Sequence, residues 1–268
     1  MSLTAAEIAS TGVSAADQAM ENAAHNLANQ LSNGFKRTEA VFQNLIYQDI
    51  KGGAVGPQGG RTTPGIPAPQ GGTGVRLAAT IRDFRLGVSE PTKSQWDIYI
   101  NGDGFLEVNR GDNMEPGYTR LGHLKVDSTG TLRTITDYPL TDNITIDMTK
   151  YQRLEITREG KVLGLNSQNS YDELGQITLK NFINPAGLEA HEDTLFVATL
   201  ESGDPISGNP GEPYFGELMQ GYVERSNVDG SKELIKAVMA QRYGNANAAL
   251  LRMAQDMEKV NISQISQI

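Results

Sequence analysis

Residues 3–31 read LTAAEIASTGVSAADQAMENAAHNLANQL, and residues 231–262 read SKELIKAVMAQRYGNANAALLRMAQDMEKVNI. In both stretches apolar side chains recur at steps of three and four residues, which is the period of one face of a helix. The apolar stripe is narrow, as in the seam of a coiled coil, so each stretch is predicted to be a helix that needs a partner helix. That partner is either the other end of the same chain or a second copy of the protein.

The predicted helix seam consists of eight large apolar residues that share this spacing. They are Val13, Met20 and Leu27 in the first helix and Ile235, Met239, Leu250, Met253 and Met257 in the second. Residues 1–32 and 228–268 are therefore expected to form one terminal helical coiled-coil domain. Gly244 within the second helix costs about 1 kcal/mol relative to alanine, so we expect close packing there to offset it. The pattern favours a protein that assembles through its helices over one that catalyses a reaction.

The middle of the chain, residues 75–199, is predicted to be a body of short β-strands. Side chains alternate from Val75 to Ile81, and short apolar runs follow at 98–100, 105–108, 124–126, 154–156 and 194–198. Turn sequences separate them, at 101–104, 127–130, 158–160 and 173–175. This order is typical of an antiparallel barrel or sandwich. The predicted fold class is α+β, with a β-rich domain inserted between two helices of one coiled-coil domain.

Residues 33–74 and 200–227 are predicted to connect the helices with the β-rich body. Within the first of them, residues 52–74 hold nine glycines and four prolines, a composition that permits neither a regular helix nor a central strand. The segment is either a flexible linker or an extended arm with a use of its own, because long loops without structure are uncommon in compact domains.

Composition excludes several classes of partner and site. The chain has 268 residues, a formal net charge of −9 and no cysteine. The negative charge argues against a nucleic-acid partner, and the lack of cysteine excludes disulfides and thiolate metal sites. No apolar run reaches the length of a membrane span, and residues 1–7 lack the basic start and apolar core of a signal peptide. If the protein leaves the cytoplasm, we expect another export route.

The sequence contains no convincing active site. His25, His123 and His191 are scattered, and Asp97 and Asp103 flank a turn, where carboxylates usually accept backbone hydrogen bonds. No serine lies in a nucleophile-elbow motif. We therefore expect no enzymatic activity, no catalytic residue, no metal, no cofactor and no small-molecule substrate.

Four blocks of the sequence closely resemble signatures of the bacterial flagellar rod and hook proteins. They are Asn26-Leu-Ala-Asn29 with Ser32-Asn-Gly-Phe-Lys-Arg37; Gly102-Asp-Gly-Phe105; Tyr118-Thr-Arg120 with Gly122, Val126-Asp127 and Gly130; and Gln220–Glu224 with Ser226-Asn-Val228, Glu233-Leu234 and Gln241-Arg242. The blocks occur in the order of the family and extend over nearly the whole chain. The two asparagines Asn26 and Asn29 lie three residues apart on one edge of a helix, where an amide can bond a neighbouring helix and fix its register.

The resemblance supplies a candidate assembly motif. Its members in this sequence are Asn26, Leu27, Asn29, Asn33, Gly34, Phe35, Gly102, Gly104, Phe105, Gly221, Tyr222, Val223, Ser226, Asn227, Val228, Gln241 and Arg242.

The resemblance implies a non-enzymatic structural subunit that forms a helical homopolymer. Within the family, the glycine- and proline-rich segment between the first helix and the β body is most similar to the distal rod branch, the drive shaft between motor and hook. The implied partners are further copies of the chain, the proximal rod, the hook, the surrounding bushing-ring proteins and the flagellar export apparatus. The implied location is the periplasm-spanning rod of the basal body. A proximal rod or hook-like subunit is the alternative within the family, and a secreted β-rich binding protein or adhesin is the alternative outside it.

Overall fold

The computed structural model describes residues 5–49, 70–111, 114–191 and 194–265, and it confirms an α+β fold with a helix at each end and a β-rich middle. The chain divides into two compact units. The first unit comprises residues 1–27, 38–81 and 230–268, and the second comprises residues 28–37 and 82–229. Neither of the two described α-helices combines the length and the apolarity needed to cross a membrane.

Among the described residues, the first unit contains both long helices and four strands. They are α1 (Ala5–Ala28), β1 (Thr38–Asn44), β2 (Gln48–Asp49), β3 (Gln70–Gly71), β4 (Val75–Arg82) and α2 (Gly230–Ile265). Strand β1 pairs with β4, and β2 pairs antiparallel with β3. Residues 52–69 of the predicted arm at 52–74 lie outside the described residues.

Helices α1 and α2 run antiparallel and meet through small side chains. Ala16 faces Gly244, where an added Cβ would lie 3.4 Å from the alanine Cβ. Gly12 faces Asn247, and an added Cβ there would approach the asparagine side chain to 2.8 Å. Ala9, Ala16, Ala23 and Ala240 are buried on this contact stripe. This close packing is the compensation that we expected for the unfavourable helix propensity of Gly244.

Most of the predicted seam residues remain exposed beside the contact between α1 and α2. Met20 and Leu27 are 39% and 38% exposed, and the five seam residues of α2 are more than half exposed. Those five are Ile235, Met239, Leu250, Met253 and Met257. The two ends of the chain therefore pair with each other, but most of the predicted seam residues stay at least one-third exposed in the single chain. The alanine stripe permits a closer helix contact, and the larger side chains are left on adjoining faces.

The second unit is built from β-strands and one short 3-10 helix (Pro185–Gly187). The strands are β5 (Ser89–Pro91), β6 (Ile98–Asn101), β7 (Phe105–Val108), β8 (Gly117–Thr119), β9 (Leu124–Val126), β10 (Leu132–Thr134), β11 (Tyr151–Ile156), β12 (Lys161–Asn166), β13 (Tyr171–Gln176), β14 (Leu179–Asn181), β15 (Glu189–Ala190), β16 (Leu195–Val197), β17 (Ile206–Gly208), β18 (Glu217–Gln220) and β19 (Tyr222–Glu224).

The registered strand pairs of this unit are antiparallel. The largest sheet has the order β15-β16-β8-β7-β14-β17, and β11, β12 and β13 form a three-stranded sheet. Two-stranded pairs are β9 with β10, β6 with β18, and β5 with β19. Aliphatic residues such as Leu106, Ile177 and Leu179 form one fully buried core, and Phe105, Tyr118 and Phe196 belong to an aromatic one. The antiparallel β-rich body predicted from alternation and turns is present.

One predicted turn is wrong. Residues 173–175 lie inside β13, where the register against β12 shifts, so that Val162 pairs with Gly175 and Leu163 with Glu173. Leu174 is the extra residue of this β-bulge, and the glycine beside it is common both in bulges and in turns. The two segments predicted as connections also contain strands: β1 belongs to the first unit, and β17, β18 and β19 belong to the second.

Candidate assembly site

Asn26 connects three elements of the first unit. Its side chain is fully buried, and its Nδ2 donates to the Thr38 carbonyl at 2.7 Å while its Oδ1 accepts from the Thr38 N–H at 2.9 Å. The amide thus bonds both backbone groups of Thr38, as a neighbouring β-strand would, and holds the start of β1 against α1. Nδ2 also donates to Glu233 Oε2 in the first turn of α2 at 3.2 Å. The predicted amide contact to a neighbouring helix exists, and it lies within the chain.

We expect Asn26→Ala to lower the free energy of unfolding of the first unit by about 1–3 kcal/mol, because the N–H and C=O groups of Thr38 lose their buried partner. Amide exchange should show faster exchange at Thr38 and in α1. Glu21→Ala, an exposed position on the same helix, is the matched control. Equal exchange in the two variants would contradict the anchoring role.

In the second unit, the N-terminal and C-terminal signature segments lie side by side. The Gly34 N–H donates to the Glu224 carbonyl at 2.8 Å, and the Arg37 N–H donates to Asn227 Oδ1 at 2.8 Å. Asn227 Nδ2 donates to the carbonyls of Asp83 and Arg85 at 2.8 and 3.0 Å. Gly34 has a φ of +72°, a conformation in which a side chain is strained. Signatures about 190 residues apart in sequence therefore form one junction, hereafter the signature junction.

A buried charge network occupies the signature junction. Lys36 Nζ lies 2.6 Å from Glu224 Oε1, and Arg120 Nε lies 2.8 Å from Glu224 Oε2, with each side chain at most 2% exposed. The N–H of Gly87 donates to Glu224 Oε1, and Lys36 Nζ donates to the Arg85 carbonyl. One carboxylate therefore pairs with two cations in an environment where an unpaired charge is costly.

Arg120 carries the network to the glycine-rich turn between β6 and β7. Its guanidinium donates to the carbonyls of Gly104 at 2.7 Å, Gly102 at 2.9 Å and Ile100 at 3.1 Å. Gly102 and Gly104 have φ values of +132° and +131°, which only glycine adopts readily. The carbonyls of the turn therefore point at one cation. Residues of all four signature blocks meet in this network: Lys36, Gly102 with Gly104, Arg120 and Glu224.

The pKa values of the pair follow from this arrangement. Burial, followed by the field of Arg120, lowers the pKa of Lys36 from 10.5 to about 8, although Glu224 acts in the opposite direction. Burial by itself would raise the pKa of Glu224, but Arg120 and Lys36 outweigh it and lower the pKa of that carboxyl. Glu224 is therefore ionised at neutral pH.

The lowered pKa of Lys36 predicts a stability that rises with pH. Between about pH 8 and pH 10.5 the unfolded chain binds more protons at this lysine than the folded chain does, so the free energy of unfolding increases across that window. Below about pH 8 both states hold the proton and the increase is absent. Burial raises the pKa of Tyr118 to about 12, which acts in the opposite direction above about pH 10. We therefore expect the free energy of unfolding of the wild type to rise relative to that of Lys36→Met between about pH 7.5 and 10, as measured by urea titrations. Parallel pH profiles of the two proteins would contradict this.

The structure distributes the other motif residues between structural positions and the surface. Gly34, Phe35, Phe105, Val223, Ser226 and Val228 are buried in the second unit. Asn33 is half-buried and bonds His123 Nε2 at 2.9 Å, while His123 Nδ1 bonds Asp97 Oδ1. Asn29 Oδ1 accepts from Ser32, and the carbonyl of Gly221 accepts from the Thr92 N–H. Tyr222 is half-buried in β19, and Gln241 and Arg242 are exposed on α2.

Several residues at the centre of these arrangements were not among the predicted motif residues. Lys36, Arg120 and Glu224 were quoted within the signatures but were not selected, and neither were Thr38 and Glu233. Lys36, Arg120 and Glu224 each adjoin one apolar residue, Phe35, Leu121 and Val223. This pattern by itself does not distinguish a buried ion pair from a solvated one.

Apolar surface remains exposed on the helical unit. A groove of about 640 Å³ is lined by residues of α1, among them Ala5 and Ile8, and by Leu250, Met253 and Met257 of α2. Within the described ranges, no group of three or more His, Asp or Glu side chains is placed to hold a metal ion. The arrangement can pack against another apolar helix, and its ionic groups serve structural pairing.

Comparison with known proteins yields two family matches and near full-length relatives. Residues 99–164 match the flagellar hook protein FlgE/F/G D1 domain, and residues 219–265 match the flagellar basal body rod FlgEFG protein C-terminal region. The flagellar basal-body rod protein FlgG of Buchnera aphidicola subsp. Schizaphis graminum is 36% identical, with 93% of this chain and 95% of that protein covered. The protein of the same name from Agrobacterium fabrum is 33% identical, with 96% and 98% covered. The flagellar hook protein FlgE of Salmonella typhimurium is 32% identical over 60% of this chain and 42% of that protein.

Proposed function

Because the chain belongs to the family of flagellar basal-body rod and hook proteins, we propose that it is a structural subunit that polymerises into the distal part of the rod. The observation that carries the proposal is the exposed apolar face of the helix pair. Leu250, Met253 and Met257 are 54%, 55% and 68% exposed along one side of α2, beside the open groove. A continuous apolar face of this kind marks a protein interaction surface.

The helical face suits contact with a further copy of the chain. The cis contact between α1 and α2 uses the small-residue stripe, so the larger seam residues remain available to a neighbouring helix. A contact between two different surfaces of identical subunits generates a helical filament when the rotation between neighbours does not close a ring. The predicted coiled coil is, in this proposal, formed between copies.

The signature junction has a structural part in this function. It fixes where the chain enters and leaves the β-rich unit, through Gly34, Arg37 and Asn227. A drive shaft transmits torque through such connections, and a buried network with satisfied hydrogen bonds is rigid. In this proposal the exposed helix face serves assembly, and the signature junction makes the subunit rigid.

The proposed location is the basal-body rod, and the proposed partners are the proximal rod, the hook, the surrounding ring proteins and the flagellar export apparatus. A rod is favoured over a hook because the rod relatives are covered over nearly their whole length and the hook relative over less than half of it. A proximal rod subunit is the remaining alternative. Membership of the family removes the argument for an adhesin.

Electron microscopy of the concentrated protein tests the proposal. We expect straight tubes or rods of regular diameter, formed above a threshold concentration. Analytical ultracentrifugation of the same samples should show that monomer concentration stays constant above that threshold. Monodisperse globules at every concentration, in the presence of preformed rod fragments as seeds, would contradict the proposal.

A further inference from the structure

The sulfur atoms of this chain all belong to methionines. The sequence contains eight methionines and no cysteine, so no thiolate reacts with an oxidant before the thioethers do. Six methionines of the described residues are between 39% and 68% exposed: Met20, Met114, Met148, Met239, Met253 and Met257. Exposure alone therefore does not single out a site of oxidation with a function, and the surroundings of each sulfur decide.

Two of these methionines lie in the apolar groove of the helical unit. Met253 and Met257 are four residues apart on α2, so their side chains lie on one face of the helix, and both line the groove together with Leu250. The side chain of Ile8 lines the groove from α1. Met253 and Met257 are 55% and 68% exposed in the single chain, so an oxidant reaches both sulfurs before assembly.

Oxidation changes a methionine side chain from apolar to polar. The sulfur lone pair of the thioether forms a bond with the terminal oxygen of a peroxide, and the O–O bond breaks. The departing hydroxide takes the proton of the transferred oxygen and leaves as water, so the sulfur is oxidised to sulfoxide by two electrons and the peroxide is reduced. The product carries an S–O group whose oxygen accepts hydrogen bonds.

The groove offers such an oxygen little hydrogen bonding. Among the described side chains that line it, Asn247 alone carries a hydrogen-bond donor, and its amide lies against Gly12 of α1. Glu258, the other polar side chain of the lining, is an acceptor when ionised. A sulfoxide covered by a second apolar surface would lose its bonds to water and gain no donor in return, which is unfavourable.

We propose that Met253 and Met257 are oxidation sites through which a peroxide switches assembly off. The proposal rests on the proposed function, since it names the regulation of the same helix face. In the single chain both sulfoxides are solvated, so the oxidised chain keeps its fold, whereas a polymer would bury them against an apolar surface. The chain has no thiol to reduce a sulfoxide, so the reversal requires an external reductase.

Treatment of the unassembled chain with hydrogen peroxide tests the proposal. After removal of the peroxide, we expect the threshold concentration for assembly, measured by sedimentation, to be at least about tenfold higher than for the untreated chain. Cleavage after Arg252 and Lys259 releases residues 253–259, which contain both methionines, so mass spectrometry of this peptide counts the added oxygen atoms. Methionine sulfoxide reductases, one for each epimer, should restore the threshold of the untreated chain.

Two double variants show which sulfurs are responsible. Met253→Leu with Met257→Leu keeps apolar side chains of similar volume in the groove, so we expect it to assemble close to the wild-type threshold and to keep that threshold after peroxide treatment. Met114→Leu with Met148→Leu removes two equally exposed sulfurs from the second unit and is the matched control. It should lose assembly on oxidation as the wild type does.

The rate of oxidation provides an independent measurement on the polymer. If the contact between copies covers the groove, the peptide 253–259 should gain oxygen at least about fivefold more slowly in assembled than in unassembled wild-type chain. Equal rates would place both sulfurs outside the contact and overturn the switch.

The outcomes separate this proposal from the proposed function. An untreated wild-type chain that forms no polymer at any concentration overturns the proposed function and the switch with it. If untreated chain forms rods, an unchanged threshold after oxidation of both sulfurs overturns the switch alone. The same holds if oxidised Met253→Leu with Met257→Leu loses assembly, if the Met114→Leu with Met148→Leu control resists peroxide, or if the peptide 253–259 gains no oxygen.

Discussion

Glu224→Gln is expected to lower the free energy of unfolding of the second unit by about 3–5 kcal/mol at neutral pH, because it leaves two buried cations without their counter-charge. Lys36 and Arg120 both contact this carboxylate, and neither side chain is more than 2% exposed. Glutamine keeps the shape of glutamate but replaces one accepting oxygen with an NH2 donor, so the loss combines the charge with at least one hydrogen bond. Urea denaturation followed by near-ultraviolet circular dichroism measures it.

Two further variants make this measurement specific. Glu217→Gln removes a half-exposed carboxylate from the same unit and should change the stability by no more than about 0.5 kcal/mol. Adding Lys36→Met to Glu224→Gln removes one of the two uncompensated cations, so the double variant should be more stable than Glu224→Gln alone. A double variant that is less stable than Glu224→Gln would show that the network acts through hydrogen-bond geometry rather than through charge.

Leu250→Asp is expected to abolish polymerisation while the chain still folds. Leu250 lines the apolar groove and is 54% exposed in the single chain, so an aspartate there is solvated in the monomer. In a polymer the same carboxylate would lie in an apolar contact without a partner, which costs several kcal/mol for each subunit contact. Sedimentation of assembled material should fall to the level of the unassembled chain, and Leu27→Asp should have the same effect.

The matched control for Leu250→Asp is Gln255→Asp, an exposed position on another face of α2. It adds the same charge to the same helix and should leave assembly unchanged. Far-ultraviolet circular dichroism of both variants should match wild type. Rods of normal length formed by Leu250→Asp would show that this face of α2 lies outside the contact between copies.

Local patterns in the sequence were sufficient for the type and order of the elements. The three- and four-residue period indicated α1 and α2, and alternation between glycine-rich turns indicated strands such as β6 and β7. These features depend only on a residue and its near neighbours in the chain, so they can be predicted without knowledge of tertiary contacts. The bulge in β13 was misread as a turn because glycine serves both purposes, and the pairing with β12 decides between them.

The buried charge network of the signature junction could not be predicted from the sequence. The sequence placed Lys36, Arg120 and Glu224 in three blocks with recognisable patterns, but their charges alone do not distinguish a solvated face from a buried network. The distances of 2.6 and 2.8 Å to Glu224 arise only when the sheets bring distant segments together. Burial turns these ordinary ion pairs into determinants of stability, because only without water does each charge require its partner.

By itself, the sequence determined that each end is a helix with a repeating apolar stripe and that the middle is an antiparallel β body. Only the tertiary structure decided which stripe of α1 faces α2. Ala9, Ala16 and Ala23 repeat every seven residues, and so do Val13, Met20 and Leu27, four positions further on. From the sequence alone, either of two stripes with the same period could form the contact between the helices. The alanines face α2 because Gly12 and Gly244 allow the helices to approach closely there, which leaves larger side chains such as Met20 and Leu27 exposed.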